Sequence, residues 1–456
     1  MKLTRRTFLG SAAATLALPR AGLAAVAELR PAPANLQILP SDYPTTDVWG
    51  YGGMPGPEIR LPQGARLDRR LVNGLDQPTT IHWHGLRLPN AMDGVAGMTQ
   101  DSVAPGGTFD YGFDLKDAGT YWYHPHDRSY EQVGRGLAGA LIVTEADAPE
   151  VDRDEALVLQ DWRMQPDGTM VEDFGALHDM AHAGRIGNYV TANGQSYIER
   201  DLPLHGRLRL RLINAAASRV MQIVHAGFTG WTVAEDGHPL ETPAALPEML
   251  VLGPGQRMDL IVDVSATGDE TAYLGLVEGD SAAVLYEVTP SEAERDAARA
   301  APAPLPPNPL PPLGDLSKAR ATEVRIEGGA MGRMTAARAD GVEMPMQDLV
   351  QQGLVWALNG AAGVPDTPIA TVSPGETLRM PLINDTAWPH VMHLHGHPFR
   401  VIEGDRPGGP WRDSVLVMPG DRTEIAFVAE EPGDWMFHCH MLDHSASGMM
   451  HWVKVG

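Results

Sequence analysis

Short stretches of alternating apolar and polar residues recur along the chain and end at glycine, proline or aspartate. Residues 208–213 (Leu-Arg-Leu-Arg-Leu-Ile) and 259–264 (Asp-Leu-Ile-Val-Asp-Val) are representative. Because successive side chains of an extended strand point to opposite faces, such runs predict short β-strands. The 49 glycines and 38 prolines supply the turns that many short strands require. Convincing amphipathic helices are scarce, so the sequence predicts an all-β fold.

Two histidine-containing segments near the start of the chain recur near its end with almost the same spacing. The matched pairs are His82 and His84 with His393 and His395, and His124 and His126 with His438 and His440. A Leu-Val-Asn or Leu-Ile-Asn tripeptide precedes the first pair of each set, and Pro-Gly precedes the second. Since both the motifs and the distances between them are shared, the two segments are copies of one structural unit.

The middle of the chain keeps this scaffold and lacks the histidine pairs. Residues 212–214 (Leu-Ile-Asn) and 254–255 (Pro-Gly) stand in the expected places, while Gln222 and Val224 stand near the positions of the imidazoles. An alanine- and proline-rich stretch, typical of a semi-rigid linker, follows this unit. We therefore expect three consecutive β-sandwiches at residues 28–147, 148–290 and 320–456, with the linker at 291–319.

The composition of the chain argues against some classes of binding partner. The formal net charge of −23 argues against nucleic acid and anionic lipid, because both require a positive surface. A single cysteine allows no intrachain disulfide, and one thiol among 17 histidines indicates chemistry rather than a cross-linked scaffold. After the N-terminal segment, no apolar stretch approaches the ~18 residues that a membrane-spanning helix needs.

The first 27 residues have the form of an export signal. Residues 4–9 (Thr-Arg-Arg-Thr-Phe-Leu) precede an alanine-rich apolar run, and small residues near Ala24 and Ala27 offer two cleavage points. Adjacent arginines followed by Phe-Leu resemble the twin-arginine type. We expect a periplasmic protein, exported through the twin-arginine route.

The most informative stretch is residues 437–444, Phe-His-Cys-His-Met-Leu-Asp-His, with Met449 shortly after it. In an extended strand His438 and His440 face one way and Cys439 faces the other. A thiolate, two imidazoles and a weak axial thioether form a blue-copper electron-transfer site. Cys439, His444 and Met449 supply three of these ligands, so one more histidine must come from elsewhere. The tripeptide would then join two metal centres covalently.

Eight imidazoles in four His-Xaa-His pairs would repel one another if protonated, and would be costly to bury unpaired. Metal binding to neutral imidazoles removes both costs. Zinc is the competing metal because it accepts the same ligands. The separate cysteine and methionine set favours copper, and two linked, unlike sites imply electron flow, which zinc does not support.

With these motifs in place, the sequence resembles a three-domain multicopper oxidase of the bacterial laccase and cuprous oxidase group. The resemblance covers nearly the whole mature chain. It implies three consecutive cupredoxin-like Greek-key β-sandwich domains, of which the middle one holds no copper. It further implies four copper ions, one type 1, one type 2 and a type 3 pair, with one-electron oxidation of a donor coupled to reduction of dioxygen to water.

The resemblance also assigns the ligands residue by residue. The type 1 ligands would be His390, Cys439, His444 and Met449. The type 2 ligands would be His82 and His393. The type 3 ligands would be His84, His124, His126, His395, His438 and His440. Electrons would pass from type 1 through Cys439 to His438 and His440.

Two carboxylate positions concern proton delivery. Asp93 occupies the place where bacterial members carry a proton-relay aspartate, although an aspartate before glycine can also be an ordinary turn residue. Many bacterial members have glutamate directly after the last type 1 histidine, where this chain has Ser445, with Asp443 on the other side of His444. Because of that departure, the sequence does not assign a second proton route.

The sequence says less about the electron donor than about the metal ligands. An axial methionine usually accompanies a lower potential in this family, which favours easily oxidised phenols and aromatic amines. Met331, Met334, Met344 and Met346 either fill core gaps or form a soft site for Cu(I), so cuprous or other metal-ion oxidation is the alternative. His178 and His182 are likewise either a solvated pair or an accessory metal site.

Two alternative functions from other protein classes agree less well with the sequence. A copper-free export or cell-division factor would keep the scaffold without the complete ligand set found in this chain. A two-domain copper nitrite reductase would lack the third unit. We expect a monomeric enzyme with dioxygen and a small-molecule or metal-ion electron donor as its partners.

Overall fold

The computed structural model describes residues 26–291 and 298–456, and nearly all of its regular structure is β. The prediction of an all-β chain is therefore confirmed. Most of the predicted export signal, including the cleavage point at Ala24, lies outside the described residues. Within the described residues, no helix combines the length and the apolar character needed to cross a membrane.

The first unit contains a three-stranded sheet, β1-β5-β7, a four-stranded sheet, β4-β9-β8-β6, and a β2-β3 hairpin. Its strands are β1 (Ala27–Leu29), β2 (Ala32–Leu36), β3 (Thr46–Gly50), β4 (Gly56–Pro62), β5 (Arg66–Val72), β6 (His82–His84), β7 (Thr108–Asp114), β8 (Gly119–His124) and β9 (Gly139–Thr144). A 3₁₀ turn (Asn90–Met92) and helix α1 (Ser129–Gln132) interrupt them.

The middle unit pairs a six-stranded sheet, β11-β10-β13-β18-β15-β16, with a five-stranded sheet, β12-β20-β19-β14-β17. Its strands are β10 (Arg153–Trp162), β11 (Tyr189–Ala192), β12 (Ile198–Pro203), β13 (Arg207–Asn214), β14 (Met221–Ala226), β15 (Phe228–Glu235), β16 (His238–Ala245), β17 (Met249–Leu252), β18 (Arg257–Val264), β19 (Ala272–Glu278) and β20 (Ser281–Ser291). Helix α2 (Leu177–Ala181) lies between β10 and β11.

The last unit pairs a seven-stranded sheet, β25-β22-β27-β32-β29-β30 with β21 beside β27, with a five-stranded sheet, β26-β34-β33-β28-β31. Its strands are β21 (Arg320–Ala321), β22 (Val324–Gly328), β23 (Ala336–Ala339), β24 (Val342–Pro345), β25 (Trp356–Leu358), β26 (Ala370–Val372), β27 (Thr377–Asn384), β28 (His390–Leu394), β29 (Phe399–Glu403), β30 (Arg406–Arg412), β31 (Ser414–Val417), β32 (Arg422–Val428), β33 (Gly433–Cys439) and β34 (Met450–Val455). Helices α3 (Met346–Gln351) and α4 (Leu442–Ala446) complete it.

The hydrophobic core explains how the two outer units are held together. One continuous cluster of buried side chains runs from the first unit, around Trp83 and Tyr123, into the last unit, around Trp356 and Phe437. The middle unit has a separate core of its own between its two sheets. Burial of apolar surface across the outer pair therefore fixes their relative position.

The histidine-bearing strands are neighbours within their sheets. His82 of β6 is paired with His124 of β8, and in the last unit His393 of β28 is paired with His438 of β33. Cys439 is paired with Met392 in the same ladder. Pairing in register brings the separate motifs of each unit together at one end of a sheet.

Residues 298–315 form neither helix nor strand and run across the first two units. The Asn308 side chain donates to the Ala118 carbonyl and accepts from the Ala118 amide, each at 2.8 Å. Asn308 Nδ2 also lies 3.1 Å from His238 Nδ1 of β16. These bonds attach this proline-rich stretch to both units.

Candidate metal centres

Cys439 lies in a buried group with two imidazoles on the side of β33 that faces away from the histidine pairs. Its Sγ is 3.7 Å from His390 Nδ1 and 3.8 Å from His444 Nδ1, and the two Nδ1 atoms are 3.0 Å apart. Met449 is fully buried, and its carbonyl accepts the Cys439 amide at 3.1 Å. The structure thus brings together the four residues expected for the thiolate site.

Burial sets the protonation of this group. It raises the pKa of the Cys439 thiol to about 12 and lowers the pKa of His444 to about 4. Burial and then the neighbouring His444 hold the pKa of His390 well below its usual value. A buried thiol between two neutral imidazoles becomes a thiolate when a metal cation binds, because the cation offsets the desolvation of the negative charge.

The eight paired histidines converge on a second site between the outer units. Nε2–Nε2 distances are 3.0 Å for His395 and His438, 3.5 Å for His126 and His438, and 3.4 Å for His124 and His440. Ligand atoms of three-residue groups lie within 4.8 Å of one another. Those groups are His82, His84 and His124; His82, His393 and His395; and His126, His395 and His438.

Outer hydrogen bonds fix which ring nitrogen faces this cluster. Nδ1 of His82 donates to the Asp93 carbonyl at 2.8 Å, and Nδ1 of His393 donates to the Asp413 carbonyl at 2.8 Å. His84 has the opposite orientation, because its Nε2 lies 3.0 Å from Asp413 Oδ1. The other nitrogens, His82 Nε2, His393 Nε2 and His84 Nδ1, are buried without a hydrogen-bond partner. Buried lone pairs of this kind fit metal ions.

The lowered pKa values of the clustered histidines keep their imidazoles neutral. Burial, followed by the neighbouring imidazoles, holds the pKa values of His124, His126, His395 and His440 well below normal. The pKa of His438 falls to about 3 for the same reasons. Neutral imidazoles have lone pairs available for a metal, and with the adjacent cysteine and methionine they form a donor set that suits copper.

Asp93 is fully buried beside the cluster. Its Oδ2 accepts from His395 Nδ1 at 2.9 Å, and its Oδ1 lies 3.3 Å from His82 Nδ1. The residue ends the 3₁₀ turn at Asn90–Met92, so it is also a turn residue. The carboxylate therefore contacts the outer nitrogens of two candidate ligands from different units.

Asp413 and Arg257 were not predicted from the sequence. Asp413 contacts His84, and both of its oxygens accept from Arg257, at 2.8 and 2.6 Å. Although burial alone would raise the pKa of Asp413, Arg257 and then His84 hold it well below its usual range. Burial and the Asp413 carboxylate raise the pKa of nearby Asp236 to about 7. An arginine on a buried face of β18 was the available signal, since buried arginines need a partner.

The residues on either side of His444 have different surroundings. Asp443 Oδ2 accepts from the Arg185 amide and the Ser218 hydroxyl of the middle unit, both at 2.9 Å. Ser445 Oγ lies 3.3 Å from His438 Nδ1. Burial raises the pKa of Asp443. The hydroxyl rather than this carboxylate therefore contacts a histidine of the cluster.

Two outer contacts of the thiolate group lead toward the surface. His390 Nε2 lies 2.9 Å from the hydroxyl of Thr386, a residue that lines an open cavity of about 470 Å³. His444 Nε2 donates to the His182 carbonyl at 2.7 Å, next to α2. Thr386 and His182 are thus the outer neighbours of the two candidate ligands.

The four methionines of the donor hypothesis separate into two kinds. Met334, Met344 and Met346 are partly buried and pack against a small cluster around Leu349. Met331 is 76% exposed and lines the cavity beside Thr386. Packing therefore accounts for Met344 and Met346, whereas Met334 both packs against this cluster and lines the cavity, and Met331 is the one of the four that is largely exposed.

Comparison with known proteins gives consistent matches. Two profiles described as multicopper oxidase match residues 34–148 and 336–456. A multi-copper oxidase structure from Pseudomonas thermotolerans is 34% identical, with a TM-score of 0.81, and the match covers 94% of this chain and 98% of that one. The structure of Lac15 from a marine microbial metagenome is 36% identical, with a TM-score of 0.76 and coverage of 94% and 100%. Multicopper oxidase MmcO of Mycobacterium tuberculosis is 29% identical over 479 residues, covering 96% of this chain and 88% of MmcO.

Proposed function

The chain belongs to the multicopper oxidase family, with its three consecutive cupredoxin-like Greek-key sandwiches and its copper-dependent use of dioxygen, and from this premise we propose its particular sites and donor. The donor would be a phenol or aromatic amine, as in laccases. The observation that carries the proposal is one tripeptide that contributes to two ligand groups: Cys439 to the thiolate group, and His438 and His440 to the imidazole cluster.

We assign the copper ligands as follows, from the contacts given above. The type 1 ion would be held by His390, Cys439, His444 and Met449; the type 2 ion by His82 and His393; and the type 3 pair by His84, His124, His440, His126, His395 and His438. Copper bound there would supply one-electron acceptance at the thiolate site and dioxygen reduction at the cluster. Cys439 and its two neighbours would provide the covalent path between them.

Asp93 is the proposed proton-holding group. Its Oδ2 accepts from His395 Nδ1, and its Oδ1 lies 3.3 Å from His82 Nδ1 but accepts no hydrogen bond, because that N–H is directed to the Asp93 carbonyl. Reduction of dioxygen to water consumes protons, and a carboxylate beside the cluster shortens the distance they must cross. Ser445, in contact with His438, carries no titratable proton and gives no equivalent second group.

The cavity at Thr386 supports an organic donor. Its volume of about 470 Å³ lies within the range of small-molecule sites, and Thr386 contacts His390. A single aromatic ring bound there would lie near Thr386, whose hydroxyl contacts a proposed type 1 ligand. Ala387, exposed on the wall of this cavity, allows a direct test.

Replacing Ala387 with phenylalanine should obstruct the cavity and lower kcat/KM for a phenol about tenfold, without weakening the visible copper band. Ala245→Phe, at an exposed position of β16 in the middle unit, is the matched control. Unchanged phenol oxidation by the Ala387 variant would exclude this cavity as the donor site.

The function itself is tested at Cys439. The copper-loaded protein should show an intense visible thiolate-to-copper band, oxidise a phenol and consume dioxygen. Cys439→Ser should lose the band and both activities, because serine does not replace the thiolate ligand. A wild-type protein that holds copper but has no such band would overturn the type 1 assignment.

Metal-ion oxidation is the second candidate. Met331, which is exposed and lines the same cavity as Thr386, favours it, because thioethers bind cuprous ions. Met334, Met344 and Met346 pack against the Leu349 cluster, so these three methionines add little to the case for Cu(I) binding. Comparing Cu(I) with phenol oxidation on one copper-loaded preparation separates the two candidates.

We also propose periplasmic export by the twin-arginine route, on the basis of residues 4–9, and a monomeric enzyme. Replacing Arg5 and Arg6 with lysine should leave the protein in the cytoplasm of an expressing bacterium, as measured by cell fractionation.

The proposed domain limits remain those of the sequence: 28–147, 148–290 and 320–456. The sheets of the three units support them, with β20 extending to Ser291.

A further inference from the structure

A buried arginine of the middle unit contacts both outer units beside the imidazole cluster. Arg257 is the first residue of β18, and its side chain is fully buried. Its Nε donates to the Thr120 carbonyl of β8, in the first unit, at 3.1 Å. Its Nη1 and Nη2 donate to the two carboxylate oxygens of Asp413, in the last unit, at 2.8 and 2.6 Å. One side chain therefore joins all three units.

The same position of the repeat lies at the surface in the two outer units. The second residue after each Pro-Gly pair is Thr108 in the first unit, Arg257 in the middle unit and Arg422 in the last unit. Thr108 and Arg422 are exposed, and Arg422 lies 3.2 Å from Glu323. The unit that lacks the histidine pairs is therefore the one in which this position is buried against the cluster.

The backbone next to His84 leaves room for the arginine and its carboxylate. Gly85 directly follows His84 and has a φ of +88°. A Cβ at Gly85 would clash with Arg257 Nη2 and with Asp413 Oδ2. The absence of a side chain at this position therefore allows the ion pair to lie against the end of β6, the strand that carries His84.

The two bonds from one guanidinium fix the orientation of the Asp413 carboxylate. Its Oδ1 also lies 3.0 Å from His84 Nε2 and accepts from the Ser414 hydroxyl at 2.9 Å. The planar fork of an arginine matches a carboxylate, whereas a lysine ammonium is a point charge without that geometry. With Oδ1 held in place, His84 donates through Nε2, and its unpartnered Nδ1 is left for the cluster.

The turn that carries Arg257 is anchored independently of Asp413. Gln256 Nε2 donates to the Ser414 carbonyl at 3.2 Å, and the Arg257 amide donates to Asp236 Oδ1 at 2.9 Å. Arg257 Nη1 also donates to the Gly255 carbonyl at 3.0 Å. Because these bonds and the bond to Thr120 hold the guanidinium, the arginine positions the carboxylate rather than the reverse.

We propose that Arg257 is a positioning residue for the copper cluster, through which the middle unit holds Asp413 and, with it, the His84 imidazole in the orientation that binds metal. The inference rests on the proposed function, because His84 is a proposed type 3 ligand. The middle unit then contributes to the oxygen-reducing site without supplying a ligand. The thiolate centre is held by other residues, so it should not depend on Arg257.

The test compares Arg257→Lys with Arg209→Lys in the full-length, copper-loaded protein. Both arginines are buried in the middle unit, and Arg209 also joins it to the first unit, through Glu145 at 2.8 Å and Asp259 at 2.6 Å. Of the two, only Arg257 contacts the carboxylate beside His84. Each lysine keeps the buried charge and removes the planar fork, so the two variants differ in their relation to the cluster.

The main measurement is the ratio of bound copper to the intensity of the visible thiolate-to-copper band, during dialysis against a chelator. In Arg257→Lys, cluster copper should be removed at a chelator concentration about 10- to 100-fold lower than in wild type, while the band persists. The ratio should then fall toward one copper ion per thiolate site. Arg209→Lys should keep the wild-type ratio. Anaerobic bleaching of the band by a phenol should keep its rate in both variants.

Three results would overturn the inference. One is a wild-type ratio in Arg257→Lys, and another is an equal fall of the ratio in Arg209→Lys. The third is loss of the band together with the cluster copper, or failure of Arg257→Lys alone to fold, because the arginine would then act on the whole structure.

Asp236→Asn provides a second, milder variant. It removes the other carboxylate near Arg257, whose Oδ1 lies 3.5 Å from Nη1, and leaves both bonds to Asp413 in place. This variant should therefore retain the cluster copper. A loss as large as that expected for Arg257→Lys would also overturn the inference, because the buried charge and not the fork on Asp413 would then decide copper binding.

Failure of this inference is distinguishable from failure of the proposed function. A wild-type protein with the visible band and a full complement of copper, together with an Arg257→Lys variant of unchanged ratio, refutes only the role of Arg257. A wild-type protein that binds copper without the band, or whose Cys439→Ser variant keeps it, refutes the proposed centres on which the inference rests.

Discussion

At the scale of single residues, His84 has an orientation that distinguishes it from its neighbours. Its Nε2 faces Asp413, whereas His82 and His393 direct Nδ1 outward to carbonyl groups. The Asp413 carboxylate also forms two bonds to Arg257 and one to the Ser414 hydroxyl. This carboxylate therefore both orients an imidazole and neutralises a buried cation.

Replacing Asp413 with asparagine should lower copper affinity about 10- to 100-fold, because second-layer partners of ligating histidines have effects of that size. The variant also removes the carboxylate closest to the buried Arg257 and leaves it with Asp236, whose Oδ1 lies 3.5 Å away, so the fold should lose up to about 3 kcal/mol. Copper content after dialysis against a chelator and urea denaturation measure the two effects. Asp421→Asn, at an exposed position in the same unit, should change neither.

Asp93 should affect a different step. Asp93→Asn keeps the size of the side chain and removes its capacity to hold a proton, so dioxygen consumption should fall about a hundredfold. Anaerobic bleaching of the visible band by a phenol should keep its rate, since that step needs no proton at the cluster. Stopped-flow reoxidation by dioxygen separates the steps, and wild-type reoxidation would argue against the relay.

The sequence predicted the histidines that the structure brings together and missed the carboxylate that contacts one of them. His-Xaa-His pairs are visible because their spacing and repetition are properties of the sequence itself. Asp413 and Arg257 are 156 residues apart and belong to different units, so their contact depends on how the units pack. Packing between units has no local sequence signal.

At the scale of elements, the turn before β18 approaches the cluster closely. Gly255 has a φ of +85°, and a Cβ at this position would lie 3.0 Å from His440 Cγ, His440 Nδ1 and His84 Cε1. The Pro-Gly turn was predicted from its repetition along the chain. Its contact with the ligands follows from the position of the middle unit against the outer two, which the repeat alone does not specify.

Gly255→Ala and Gly268→Ala form a matched pair at this scale. Both glycines have positive φ, so each alanine should cost about 1–2 kcal/mol in backbone strain. Nothing lies within 4 Å of a Cβ at Gly268, whereas a Cβ at Gly255 would press on two ligands. Copper content should therefore fall only in Gly255→Ala. Equal copper content in the two variants would contradict this reasoning.

At the scale of the whole molecule, the proline-rich stretch fastens two units at a buried histidine. His238 Nδ1 faces Asn308, and burial lowers the His238 pKa to about 4, with Asp117 and Asp413 opposing the shift and Arg257 and Arg87 adding to it. The folded protein therefore keeps this ring neutral at pH values where the unfolded chain, with a pKa near 6.5, is protonated.

The unfolding free energy should fall as the pH drops through this window. Between pH 6.5 and 4 the unfolded state binds the extra proton, so the His238 contribution to stability is lost progressively, up to about 3 kcal/mol. Urea denaturation of the copper-free protein at pH 7 and pH 4 should show a smaller acid loss in His238→Gln than in wild type. Equal losses would contradict this assignment.

The fold class and the order of the three sandwiches were predictable because strand periodicity and internal repetition are local properties. The packing of the first unit against the last unit was not predictable from the sequence. Its continuous core, which joins residues around Trp83 to residues around Phe437, involves side chains that read individually as ordinary apolar strand positions. Only the need of eight imidazoles for shared metal ions indicated that the two ends of the chain meet.

The division of the cluster between the two ends of the chain has a consequence for biosynthesis. The strands that carry His82 and His124 leave the ribosome long before those that carry His393 and His438. A nascent or prematurely terminated polypeptide therefore presents half of the imidazoles and no thiol. On the proposed assignment, dioxygen reduction would begin only in a finished molecule, so incomplete products would not release partly reduced oxygen.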